Sequence, residues 1–154
     1  MNNTTDVTTP TTDENYALVP FEFSYHESLW DDFVNVLALH HARLIAKMAK
    51  MKYRENNYLD GHRTAFLDAI DLAYYVADES VDESFKEFAA ALPTMKDRTS
   101  GYYVGDDEKV TPGSFEDGFD RAVADITLIV NAITSGKLMD DEVFSRIECY
   151  LEAP

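Results

Sequence analysis

Apolar residues return every three or four positions along most of the chain, the spacing that lines one face of an α-helix. The first such seam runs through Leu29, Trp30, Phe33, Val34, Leu37, Leu44, Ile45, Met48 and Met51. Ser24 and Glu27 precede it at the spacing of a capping box, and Asn56, Asn57 and Gly61 are read as its end. A second helix is expected from Asp60 as cap, with Phe66, Ile70, Ala73, Tyr74 and Ala77 turned to a core and Asp68, Asp71, Tyr75 and Asp78 turned outward. Ser80 and Glu83 form another capping box before Val81, Phe85, Phe88, Ala89 and Leu92, a segment that Pro93 should close.

Between Thr94 and Gly113 the periodicity fails. Gly101, Gly105, Pro112 and Gly113 punctuate a polar stretch containing Tyr102, Tyr103 and Val104, where an irregular loop or a short hairpin is expected. A helix then restarts at Ser114 and carries Phe115, Phe119, Ala122, Val123, Ile126, Ile129, Val130 and Ile133 before Gly136. A last helix is expected through Val143, Phe144, Ile147 and Leu151. Five helices with ordinary apolar stripes and almost no strand pattern predict an all-α class, a compact bundle in one domain over residues 17–154. Residues 1–16 hold Thr pairs, Pro10 and almost nothing apolar, which predicts a flexible tail.

Composition adds a constraint that the pattern alone does not. Asp and Glu number 29 against 13 Lys and Arg, a formal net charge of −16 over 154 residues. So strong a field repels itself, and solubility, a cationic partner, a bound cation or a salty habitat must account for it. The start lacks the basic and apolar runs of a secretory signal and no stretch is long enough to span a bilayer, so a cytoplasmic protein with no membrane partner is expected. The single cysteine, Cys149, lies in a carboxylate-rich helical pattern that would raise a thiol pKa, and it reads as a half-buried thiol.

The acidic residues have a pattern as well as a number. Asp68, Asp71, Asp78 and Asp82 share one helical direction if the second and third helices are nearly continuous, with Glu79, Glu83 and Glu87 as a neighbouring row. Carboxylates four residues apart are separated by about 6 Å along a helix, and strand phosphates rise by roughly 3.4 Å per base pair. A helix face can imitate phosphates in spacing, although acidic exteriors are also ordinary solvated faces. Arg43, Lys47, Lys50, Lys52 and Arg54 form an opposing basic stripe suited to pairing with acidic faces of this chain or of a second copy in a homodimer.

Catalytic chemistry finds less support. His40 and His41 are adjacent and cannot serve one metal together, and His41, between Leu37 and Leu44, is read as a core histidine while His26 and His62 look peripheral. Neither a nucleophile elbow nor a Gly-rich phosphate loop is present. Asp68 with Asp71, and Asp117 with Asp120, could face across a bundle and hold magnesium. The run Leu72 to Val76 after the first pair resembles the acidic helix of MazG-type all-α nucleotide pyrophosphohydrolases, which would imply a magnesium-dependent enzyme. That family places paired glutamates on an earlier helix, where this chain has Arg43, Lys47 and Lys50, so membership does not follow.

The expected function is therefore a non-enzymatic acidic interaction protein with no cofactor. It would bind a basic, nucleic-acid-binding host protein and occlude its site, as nucleic-acid-mimic inhibitors carried by viruses and mobile elements do, without contacting nucleic acid itself. Expected contact residues are Asp68, Asp71, Tyr75, Asp78, Asp82, Glu83 and Glu87, with Asp106, Asp107 and Glu108 in the loop as a second cluster. The alternatives are the magnesium-dependent enzyme, an acidic structural or adaptor domain, and salt adaptation.

Overall fold

The computed structural model describes residues 29–51, 56–105 and 107–135. Among them stand four α-helices, α1 (Leu29–Lys50), α2 (Asn57–Val76), α3 (Val81–Ala91) and α4 (Phe115–Thr134), with a 3-10 segment, Leu92–Arg98, directly after α3. The described residues contain no strand, so the fold is all-α, and residues 99–105 and 107–113 are irregular chain with turns, the loop alternative to the hairpin. The Ser24 and Glu27 box, the 1–16 tail and the helix expected around Val143 lie outside the described residues.

Local chemistry sets the ends of these elements. Asn56 accepts a hydrogen bond from the Leu59 amide at 2.9 Å and is the cap of α2, a role the sequence reading gave to Asp60. Asn56, Asn57 and Gly61 thus open the second helix instead of closing the first. Ser80 caps α3 as expected and Ser114, where a helix was expected to restart, caps α4, each accepting from the amide three residues on. Pro93 does not end the helical path. It occupies the first turn of the 3-10 segment, where its missing N–H is not needed.

α2 and α3 are separate helices. Ala77 adopts φ −56° and ψ 129°, which turns the chain out of α2. The buried Ser84 hydroxyl accepts from the Asp78 amide at 2.8 Å and donates to the Ser80 carbonyl at 3.1 Å, with the Asp78 carbonyl at 3.3 Å as alternative acceptor. The carboxylate of Asp78 takes the Ser80 amide at 3.0 Å, the position a capping box would give to Glu83.

One shared core joins all the helices. Trp30 and Phe33 of α1 meet Phe85 and Phe88 of α3, with centroids 4.9 to 6.0 Å apart and mostly edge-to-face, an arrangement that adds to simple area burial. All eight apolar positions expected in α4 are buried or half-buried. In α1 the seam is rotated from the expected one: Val36 and His40 are fully buried, His41 is half-buried, and Leu29 and Ile45 are exposed. In α2 the inward face is Leu59, Ala65, Phe66, Ala69, Leu72, Ala73 and Val76, and Tyr74, expected inside, is 71% exposed. Ala77 and Ala89 are exposed as well.

The most extensive helix pairing is α2 with α4. Gly61 and Gly118 make it close, because a Cβ on Gly61 would overlap the Phe115 carbonyl and one on Gly118 would overlap the Tyr58 carbonyl. α2 also meets α1, α3 and the 3-10 segment. It is central to the fold while keeping one side in solvent.

Candidate functional site

The solvent side of α2 carries Leu67, Asp71, Tyr74, Tyr75 and Asp78, all exposed and spaced along one face. Tyr75 is 83% exposed and Tyr74 nearly as open, an unusual display of aromatic area on a monomer surface. Between this face and the 3-10 segment lies an open groove of about 300 Å³. α2 contributes Asp68, Asp71, Leu72 and Tyr75, and the other wall is Met95, Arg98 and Thr99.

The groove has an apolar floor and charged walls. Leu72 and Met95 are buried beneath it. Thr99 donates its hydroxyl to Asp68 Oδ2 at 2.6 Å, which ties the end of the 3-10 segment to α2. Asp71 and Tyr75 make no side-chain hydrogen bond among the described residues, and Arg98 makes no ion pair there. Opposite charges thus line one hollow without neutralising each other.

The expected contact residues divide. Asp68, Asp71 and Tyr75 are brought together in the groove. Asp78 is exposed on the same face but also caps the start of α3. Asp82, Glu83 and Glu87 are exposed on α3. The line from Asp68 to Asp82 does not run along one helix, because the chain turns at Ala77; the four-carboxylate row that required continuity is absent. In the loop, Asp107 is exposed with φ 64°, and Glu108 folds back to accept from the Gly105 amide at 3.4 Å. Asp106 lies outside the described residues. Leu128 is half-buried on α4.

Three of the four carboxylates proposed for magnesium have other work. Asp117 Oδ2 accepts from the Gly113 amide at 2.8 Å, Asp120 accepts the Tyr102 hydroxyl at 2.9 and 3.1 Å, and Asp68 holds Thr99. Among the described residues no three His, Cys, Asp or Glu side chains converge to hold a metal ion. Burial, the hydrogen bond to Asp120, and the charges of Asp120, Glu116 and Asp97 push the Tyr102 phenol up to about 12. Lys96 lies over the Tyr102 ring at 5.8 Å, beside a second hollow of about 310 Å³ between Leu92, Pro93, Lys96 and the α4 residues Phe119, Asp120, Val123 and Ala124.

A polar group the sequence reading passed over sits in the core. Asp125 of α4 is 1% exposed; Arg121 Nε donates to its Oδ1 at 3.0 Å, and His62 Nε2 stands 3.6 Å from its Oδ2. His62 is fully buried and stacked on Phe66, a correction to its expected peripheral place. His40 packs on the same Phe66 ring, where burial first and the charge of His62 second lower its pKa to about 3. Burial, with Arg63 second, lowers His41 also. The signal for this group was present, since Asp125 falls inside the apolar seam of α4 with Arg121 one turn before it.

Among the described residues no helix is long and apolar enough to cross a membrane. Of the basic stripe, Arg43 and Lys47 are half-buried and Lys50 is exposed, while Lys52 and Arg54 lie outside the described residues. Comparison of the chain with protein-family models, with curated proteins and with solved structures finds no match.

Proposed function

We propose that the protein is a non-catalytic acidic interaction protein that binds a basic, nucleic-acid-binding protein and occludes its nucleic-acid site. The observation that carries this reading is Tyr75, 83% exposed on α2 with Asp71 and Asp78 on the same face. Solvent exposure of a large aromatic ring is unfavourable in the free protein, and tyrosine is enriched where partners dock. Carboxylates around it and on α3 supply the complement of a surface that grips polyanions. They would speed encounter, and the apolar ring would slow release. The net charge of −16 makes direct contact with nucleic acid unfavourable, so a protein partner is the consistent one.

The test is competition. Labelled DNA duplex is bound to each of a panel of basic DNA-binding domains, and this protein is titrated in at two salt concentrations. Release of duplex is expected at lower concentration than with polyglutamate of equal total charge, and should weaken at least tenfold when salt rises from 50 to about 200 mM, as multi-site charge pairing requires. The variant Asp71→Lys, Asp82→Lys, Glu87→Lys should fold normally and lose competition. Equal performance by polyglutamate, or by the charge-reversed variant, overturns the reading.

A further inference from the structure

We infer that the groove between α2 and the 3-10 segment receives one arginine side chain from a peptide segment of the partner. This rests on the function proposed above and narrows it to one contact. The hollow of about 300 Å³ is at the small end of the range for small-molecule pockets, roughly 300–1,000 Å³, and suits a single long side chain.

Each wall matches a part of that side chain. The three methylenes of arginine would lie on Leu72 and Met95, the apolar floor. A guanidinium stacks on aromatic faces and pairs with carboxylates in a two-pronged fashion. Tyr75 supplies the aromatic ring and Asp71 a carboxylate that no described side chain engages. Asp68 keeps one oxygen beyond the one held by Thr99. Arg98, on the far wall, is a donor placed for a neutral acceptor such as the backbone carbonyl of the incoming segment. Lysine would match less well, since an ammonium is a strongly hydrated point charge that neither stacks flat nor bridges two oxygens.

Three blocked tripeptides test this: acetyl-Gly-Arg-Gly-amide, its lysine analogue and its citrulline analogue, each titrated into the full chain and followed by amide chemical shifts. The arginine peptide should give saturable shifts centred on Leu72, Tyr75 and Thr99, with the lysine peptide several-fold weaker and citrulline, isosteric and uncharged, at least tenfold weaker. Asp71→Asn and Tyr75→Ala should each weaken binding at least fivefold with unchanged urea midpoints, because both side chains are exposed. Equal binding of citrulline, unsaturable shifts spread over α3 and the loop, or no binding would each overturn the inference. The two proposals fail separately. Duplex release that survives Asp71→Asn and Tyr75→Ala removes the groove but keeps occlusion, and saturable arginine binding without duplex release does the reverse.

Discussion

Gly61 and Gly118 each press their Cα against the backbone of the opposite helix, Gly61 on the Phe115 carbonyl and Gly118 on the Tyr58 carbonyl. The carbonyl met by each glycine lies three residues before the other glycine, so the two contacts form a nearly symmetric crossing near the starts of α2 and α4. A methyl group at either position would meet backbone, which cannot rotate aside. Gly61→Ala and Gly118→Ala are each expected to lower unfolding free energy by about 3 kcal/mol, at the upper end for forced overpacking, as read by urea denaturation.

Ser84 predicts a second loss. Its buried hydroxyl is the acceptor for the Asp78 amide and a donor back to the turn. Ser84→Ala leaves that amide without its partner and should cost about 1–3 kcal/mol. Faster amide exchange at Asp78 would distinguish this cause from a general loosening.

Asp125 brings a buried carboxylate between Arg121, 39% exposed, and His62. Removing the carboxylate with Asp125→Ala should destabilise by about 3 kcal/mol, because a buried charged or polar group loses its counterpart. Arg121→Ala should cost less, since the guanidinium is partly solvated and solvent screens the pair. A double-mutant cycle on Asp125 and Arg121 checks the order.

His40 predicts a pH dependence. In the folded protein its pKa is about 3, against 6.5 for the free side chain, because burial opposes the charged form. The unfolded chain therefore binds the proton first. The site's contribution is fully present above pH 6.5 and is lost as pH falls from 6.5 toward 3, at a slope of up to about 1.4 kcal/mol per unit. His40→Gln should flatten the stability profile between pH 7 and 5, above the range where carboxylates dominate, and an unchanged slope would contradict the assignment.

How much of this was legible depended on what decides each feature. The α4 stripe was legible because its buried residues are large and strictly periodic. The α2 face was read one notch off: Ala65 and Ala69 contribute little hydrophobic signal yet permit close approach, while Tyr74 carries a strong signal and lies outside. His40 and His41 satisfy the same spacing, and only the position of Phe66 across the interface selects His40. Asn56 was hidden because an asparagine after a helix and one before the next look alike. The outward Asp68, Asp71 and Tyr75 followed from periodicity, but their opposite wall did not. Pro93 reads as a stop, and only the tighter 3-10 winding after it brings Met95, Arg98 and Thr99 alongside α2.

That winding has one further effect. With three residues per turn, Met95 and Arg98 look toward Tyr75 while Pro93 and Lys96 look toward Phe119. The segment is a thin septum between two hollows, so any tilt that widens one chamber narrows the other.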